Sequence, residues 1–285
     1  MELTVLSGKG GTGKTMITVA LAELFPQAVI ADCDVDAPNL YLYYRGMDIA
    51  KESFTASHKA VIAKESCIGC GICDEVCRFA AIRDHTVDEA NCEGCGACVL
   101  ACPEKSIQLR PQKNADVFLT QTKRGVLSRA KMAVGSDGSG KLVSHLRKNA
   151  REYLDDATVM LLDGSPGIGC PVISSITGAS MALIVTEPTL SGMEDFGRVL
   201  DLCEHFSIPA AVCVNKWDIN PEVTDEIRRR CKERGIPVVG EIPFDTAVTD
   251  SINTLQPITS YPDSAACKAV LEMWDRLQEV IAQSK

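Results

Sequence analysis

The stretch Ser7-Gly8-Lys9-Gly10-Gly11-Thr12-Gly13-Lys14-Thr15 constrains the fold of this chain more than any other. It follows a short apolar run, Leu3–Leu6, and precedes a helical pattern over Met16–Phe25. A strand, a glycine-rich loop and a helix in that order make a phosphate-binding loop. The glycines let the backbone wrap closely, so that its N–H groups and the helix N-terminus face a triphosphate. That assigns Gly8, Gly10, Gly11, Thr12 and Gly13 to nucleotide binding. Lys14 is placed to reach the β- and γ-phosphates, and the Thr15 hydroxyl to hold Mg²⁺. Lys9 is surplus to the ordinary motif and, on the sequence, has no role inside one subunit.

A length of 285 residues allows one to two domains with ample core. No run approaches the ~18 apolar residues of a membrane span, and the N-terminus passes straight into the first strand without a signal peptide. The net charge of −9 argues against an electrostatic grip on nucleic acid or anionic lipid. The expectation is a cytoplasmic protein without nucleic-acid or membrane partners. Fourteen cysteines in such a chain are no disulfide framework, and clustering points to metal.

A second apolar strand, Ala28–Ala31, ends in Asp32-Cys33-Asp34-Val35-Asp36-Ala37-Pro38-Asn39. Three alternating carboxylates at the C-terminal end of a strand sit where open α/β sheets place ligand chemistry. Near residue 57 the texture changes. The run from Cys67 to Cys77 recurs as Cys92 to Cys102, every cysteine at an offset of 25, together with Gly69/Gly94, Gly71/Gly96 and Ile82/Ile107. This is a duplicated supersecondary unit within an insert over 57–112, between α/β segments 1–56 and 113–285. An insert that small buries little core and depends on metal for its shape.

C-x₂-C-x₂-C-x₃-C, twice, is the bacterial two-cluster ferredoxin pattern, in which the fourth cysteine of each run serves the other cluster. Cys67, Cys70, Cys73 and Cys102 are therefore assigned to one [4Fe–4S] cluster, and Cys77, Cys92, Cys95 and Cys98 to the other. Pro103 follows Cys102 as the pattern expects, whereas Arg78 replaces the other proline and sets a cation beside one cluster. Two zinc sites are the alternative, but these pair short C-x₂-C knuckles across a longer spacer.

Beyond the insert the pattern reads as strand Val126–Met132, helix Lys141–Leu154 with Leu142, Leu146 and Tyr153 inward, and strand Thr158–Leu162 ending at Asp163-Gly164-Ser165-Pro166-Gly167. Then come strand Ala182–Thr186, helix Leu190–Phe206, strand Ala210–Val214, helix Pro221–Arg234, strand Pro237–Ile242 and helix Ser264–Ala282. The alternation predicts an α/β fold: a mostly parallel-sheet P-loop NTPase domain with an inserted small α+β ferredoxin-type domain. Cys33 is expected to face the core, Cys203, Cys213, Cys231 and Cys267 to be packing or surface thiols, and Cys170 to sit at a helix start. The histidines at 58, 85, 145 and 205 show no ligand spacing and are expected at the surface.

These motifs together resemble the deviant-Walker P-loop ATPases: the MinD cell-division ATPase, the nitrogenase iron protein and the Mrp-type iron–sulfur carriers. The likeness is greatest to MinD-superfamily ATPases with an inserted ferredoxin domain, and it covers essentially the whole chain. The resemblance implies that Lys9 crosses a dimer interface to a partner's nucleotide, and that Asp34 positions the attacking water. Lys9, Lys14 and Asp34 are thus the catalytic set. It implies that Asp32 lies beside the Mg²⁺ path, that Asp163 supports Mg²⁺ through water, and that Gly164–Gly167 senses the γ-phosphate. Asn215 would read adenine beside Lys216, helped by backbone near Pro243-Phe244-Asp245. Asn215-Lys216-Trp217-Asp218 also matches a guanine-reading pattern, and ATP is the favoured nucleotide.

The expectation is a Mg²⁺-dependent ATPase (ATP and water to ADP and phosphate) that couples switching of a nucleotide-dependent homodimer, or of a heterodimer with a related ATPase, to electron transfer through two [4Fe–4S] clusters. Its partner would be a redox or metallocofactor protein. The alternatives are an Mrp-like carrier for iron–sulfur cluster or metallocofactor assembly, and a redox-sensing switch of the MinD type.

Overall fold

The computed structural model of the chain describes residues 1–155 and 158–283. Its strands are β1 Glu2–Ser7, β2 Ala28–Cys33, β3 Met47–Ile62, β4 Ile82–Arg83, β5 Thr86–Val87, β6 Ile107–Gln121, β7 Val126–Met132, β8 Val159–Pro166, β9 Met181–Thr186, β10 Ala210–Asn215 and β11 Val238–Ile242. The helices are α1 Lys14–Leu24, α2 Leu40–Tyr43, α3 Ile72–Val76, α4 Ala97–Ala101, α5 Ser139–Arg151, α6 Cys170–Ile176, α7 Leu190–His205, α8 Pro221–Glu233, α9 Thr246–Thr254 and α10 Ala265–Gln283.

Nine strands form one sheet in the order β11-β10-β9-β1-β8-β2-β7-β6-β3. The pairings from β11 through to β7 are parallel. Parallel strands covered on both faces read as continuous apolar runs, and β1, β2, β9 and β10 do. Their side chains then alternate between two cores. Leu3, Val5, Leu183 and Cys213 join α1 and α10 on one face. Leu6, Ile184, Val212 and Val214 join α6, α7 and α8 on the other, around fully packed Phe196.

The chain divides into two compact units. The first comprises Met1–Lys51, Val117–Ala130 and Ser139–Lys285; the second comprises Glu52–Asp116 and Lys131–Gly138. The second unit is thus longer than the 57–112 segment marked out by the cysteine texture, and it includes a return segment that the sequence reading placed in the outer domain. Its small core holds Ala60, Ala81, Ile82 and Ile107 with Cys73, Cys92 and Cys98, so thiols take up much of the space that aliphatic side chains would fill.

Two expectations are corrected. Tyr153 is 40% exposed, because α5 ends at Arg151 and the following turn carries the ring off the apolar face that Leu142, Val143 and Leu146 bury. Strands β3 and β6 lie where the sequence reading marked no strand: most side chains of Met47–His58 are exposed, as are those of Gln108–Pro111.

Burial of Phe196 at 1% exposure sets a direct check on the second core. Phe196→Ala is expected to lower the free energy of unfolding by about 3–5 kcal/mol, read from the shift of the urea midpoint. An unchanged midpoint would contradict this packing.

Candidate functional site

The loop after β1 turns at Gly13, whose φ of 92° lies in the left-handed region. A Cβ there would also sit 2.3 Å from Asn215 Nδ2, so glycine is required twice over. Asn215, at the end of β10, donates that amide to the Thr12 carbonyl at 2.7 Å and so braces the loop. Strand β8 delivers Asp163 directly beneath it. The Asp163 carboxylate, 1% exposed, accepts hydrogen bonds from Lys14 Nζ at 2.7 Å, Thr15 Oγ1 at 2.8 Å and Thr18 Oγ1 at 2.9 Å. Asp34 lies 3.4 Å from the same ammonium. Register on the adjacent strands β2 and β8 places Asp32 beside Asp163.

This electrostatic arrangement is unbalanced. Three carboxylates face one buried cation. Burial raises the Asp32 carboxyl above its ordinary range, and the neighbouring Asp163 charge adds to the effect. Asp34 is also raised, by its burial and by Asp163, despite the opposing pull of Lys14. Burial works against the Lys14 ammonium, yet Asp163 and Asp34 hold its pKa above the usual lysine value. Two buried oxygens here, Thr12 Oγ1 and Asp32 Oδ1, have no hydrogen-bond partner among the described residues. Surplus acid with unmet polar groups, beside a glycine-rich loop, fits a nucleotide with a divalent cation. The cavity is lined by Gly10–Met16, Asp34, Asp36, Asn39, Tyr43, Ser139, Ser165, Pro166 and Leu255.

Lys9 has partners inside the chain, which corrects the expectation that it has none. Its ammonium meets Glu187 at 2.7 Å, Thr189 Oγ1 at 2.9 Å and Ser191 Oγ at 3.3 Å. Lys216 meets the other Glu187 oxygen at 3.2 Å. Burial works against the Glu187 carboxylate, but hydrogen bonds from both lysines hold its pKa below the usual range. Asp245 caps α9 at Ala247 and also accepts from the Ala266 N–H. Neither it, Pro243, Asn215 nor Lys216 lines the cavity around the loop. Gly8 packs against α7, where a Cβ would come 2.5 Å from that of Asp195. The sequence reading missed Thr18 and Glu187. Thr18 lies one helical turn beyond Lys14, and Glu187 directly follows β9, so spacing and strand-end position were their signals.

In the second unit, Cys67, Cys70, Cys73 and Cys102 line one cavity, and Cys77, Cys92, Cys95 and Cys98 line another. Each run contributes three cysteines to one cavity and its fourth to the other. The Ala81 N–H points to Cys77 Sγ at 3.3 Å, and its counterpart 25 residues on, Ser106, points to Cys102 Sγ at 3.3 Å. At the second cavity the Ala60 N–H meets Cys92 Sγ at 3.4 Å, and buried Lys59 donates to the Cys92 carbonyl at 2.6 Å. Four thiols and inward N–H groups around a compact cavity fit an iron–sulfur cluster. Cys33, Cys203, Cys213, Cys231 and Cys267 are buried, whereas Cys170 is exposed at the start of α6. Burial pushes the Cys203 thiol up to about 12 and Cys231 up to about 11, which keeps both unreactive.

A family described as the CobQ/CobB/MinD/ParA nucleotide binding domain matches residues 3–258. An uncharacterized protein of Methanocaldococcus jannaschii is 33% identical over 99% of this chain and 98% of its own length. The iron–sulfur cluster carrier protein of Pyrococcus furiosus is 22% identical over 100% of this chain and 88% of its own. Among solved structures, the septum site-determining protein MinD of Pyrococcus horikoshii, complexed with Mg-ADP, superposes with a TM-score of 0.59 at 16% identity. That match covers 100% of this chain and 98% of that one.

The raised Asp32 carboxyl has a consequence for stability. The folded chain keeps a proton that the unfolded chain releases above pH about 4, so stability falls as pH rises through that window. Asp32→Asn, which can still accept from the Leu40 N–H, is expected to melt higher than the parent at pH 7 in chelator without nucleotide, with the gap closing toward pH about 4. A lower melting temperature at pH 7 would contradict this account.

Proposed function

The chain belongs to the CobQ/CobB/MinD/ParA nucleotide binding domain family, and from that premise we propose that it is a Mg²⁺-dependent ATPase that carries two [4Fe–4S] clusters and serves as an ATP-dependent iron–sulfur cluster carrier. The observation that carries this reading is the sorting of eight cysteines into two four-thiol cavities, in one chain with the loop clamped by Asp163. The relative named as an iron–sulfur cluster carrier moves the carrier role ahead of electron transfer.

Phosphoryl transfer depends on positioning and charge more than on covalent chemistry by the protein. Bound ATP offers Lys14 a more highly charged partner than the Asp163 oxygen it now meets. With Lys14 paired to phosphate, Asp163, Thr15 and Asp32 are the residues that would hold Mg²⁺. The cation would supply charge neutralisation for the phosphates. Asp34, already facing Lys14, orients the attacking water. Lys9 must leave Glu187 before it can reach a nucleotide across a dimer, homodimeric or with a related ATPase. ATP is the nucleotide because Asp218, the acid of a guanine-reading motif, already accepts the Phe244 N–H at 2.7 Å.

A second reading, electron transfer, is favoured by the full cysteine complement of both cavities, which suits resident clusters. Anaerobic incubation of the loaded protein with an apo-ferredoxin, with and without Mg-ATP, separates the two. Mg-ATP is expected to speed transfer of iron and sulfide to the acceptor, and Lys14→Ala to cut hydrolysis by about 10²–10³-fold and remove the acceleration. Full retention of iron, with ATP instead changing the rate of cluster reduction by an external donor, would replace the carrier reading with electron transfer.

A further inference from the structure

The two cluster cavities are built from a duplicated sequence, yet one carries a polar side chain that the other lacks. His85 lines the cavity of Cys67, Cys70, Cys73 and Cys102. The other cavity has no histidine in its lining, and Leu109 lines it instead. The His85 ring lies over the first cysteine run, with Nε2 3.6 Å from where a Cβ on Gly69 would be. Leu109 lies over the second, with Cδ1 3.7 Å from where a Cβ on Gly96, the counterpart of Gly71, would be.

His85 Nδ1 is buried and has no hydrogen-bond partner among the described residues. Leaving such a group unmet carries a desolvation penalty. A ring nitrogen of His85, Cys73 Sγ and an Asp74 oxygen all lie within 4.8 Å of one another. Asp74 is already engaged: Oδ2 accepts from the Asp84 N–H at 3.0 Å, and Oδ1 faces Cys73 Sγ at 3.3 Å. The hairpin turn between β4 and β5 also holds His85 in the left-handed region, φ 60°. The four cysteines that line the same cavity put sulfur, their own and that of whatever they hold, among the acceptors open to the imidazole.

We propose that the His85 imidazole donates its Nδ1–H to a sulfur of the cluster held by Cys67, Cys70, Cys73 and Cys102, and so makes the two clusters electronically distinct. This rests on the insert carrying two clusters, as proposed above, and on neither of the two roles weighed there. A donor to sulfur stabilises the reduced, more negative cluster and raises its potential; hydrogen bonding to sulfur is one of the protein's recognised controls on that quantity. Leu109 offers the second cluster no such bond.

The test is an EPR-monitored redox titration of the full chain, reconstituted anaerobically, with His85→Leu and His85→Gln alongside the parent. His85→Leu is expected to lower the reduced-to-oxidised ratio of one cluster about tenfold at a fixed ambient potential, a shift of about 59 mV for one electron, and to leave the other unmoved. His85→Gln keeps an N–H and is expected to recover part of the shift. In the parent, pulsed EPR is expected to show an exchangeable proton and histidine nitrogen coupled to one cluster, both lost in His85→Gln or altered in strength. That measurement decides the matter even where His85→Leu fails to load. Unmoved potentials with no coupled exchangeable proton would overturn the hydrogen bond while leaving two clusters in place. A parent protein that holds zinc, or no cluster, would overturn the cluster reading and this inference together.

Discussion

The Asp163 carboxylate organises the nucleotide end of the molecule. It stands on β8, between β1 and β2, and binds the ammonium of Lys14 and the hydroxyls of Thr15 and Thr18. Those three donors fix the first turn of α1 to the sheet, and the Asn215 amide fixes the loop ahead of it from the other side. A buried carboxylate is tolerated only when it is paired and hydrogen-bonded, and breaking such a pair is strongly destabilising. The same pairing stores an imbalance. Asp32 and Asp34 crowd a site with one cation, and burial together with mutual repulsion raises both carboxyls. A divalent cation with a nucleotide would relieve that imbalance, which supports the proposal that the clamp is a binding site as well as a structural tie.

A different constraint governs the second unit. Its core holds four small or aliphatic residues alongside three cysteines, too little apolar surface to hold a fold of that length. The duplicated loops compensate by directing thiols inward. Each cysteine run crosses over to give its fourth thiol to the other cavity, so the two sites are built together and neither closes without the other. Backbone N–H groups of Ala81 and Ser106 reach equivalent sulfurs, a repetition of the chemistry that follows from the repetition of the chain. Departures from that symmetry, namely Arg78 against Pro103, His85 lining one cavity alone, and Lys59 beside Cys92, are where the sites can differ in electronic character.

The sheet was legible in the sequence wherever strands are buried on both faces, because Leu3–Leu6, Ala28–Ala31, Ala182–Thr186 and Ala210–Val214 are apolar runs bounded by turn residues. It was illegible at β3 and the first half of β6, whose exposed side chains leave no apolar alternation to read. The loop Gly8–Thr15 and the eight spaced cysteines announced themselves through spacing, because their chemistry needs particular residues at fixed short intervals. Thr18, Glu187 and His85 did not. Each acts through a contact with a residue distant in sequence, and only the fold makes such contacts: Thr18 with Asp163, Glu187 with Lys9, and His85 with the loop at Gly69. Lys9 shows the same limit in reverse, since the motif singled it out but gave no sign of the carboxylate that holds it.

The central claim is that this P-loop protein also builds two complete cluster sites. Iron and acid-labile sulfide counted per chain after anaerobic purification, with EPR of the dithionite-reduced protein, address it most directly. The account predicts about eight iron and eight sulfide per chain and a spectrum of two interacting reduced clusters. Zinc in their place, or only about four iron and four sulfide per chain in the parent protein, would contradict it.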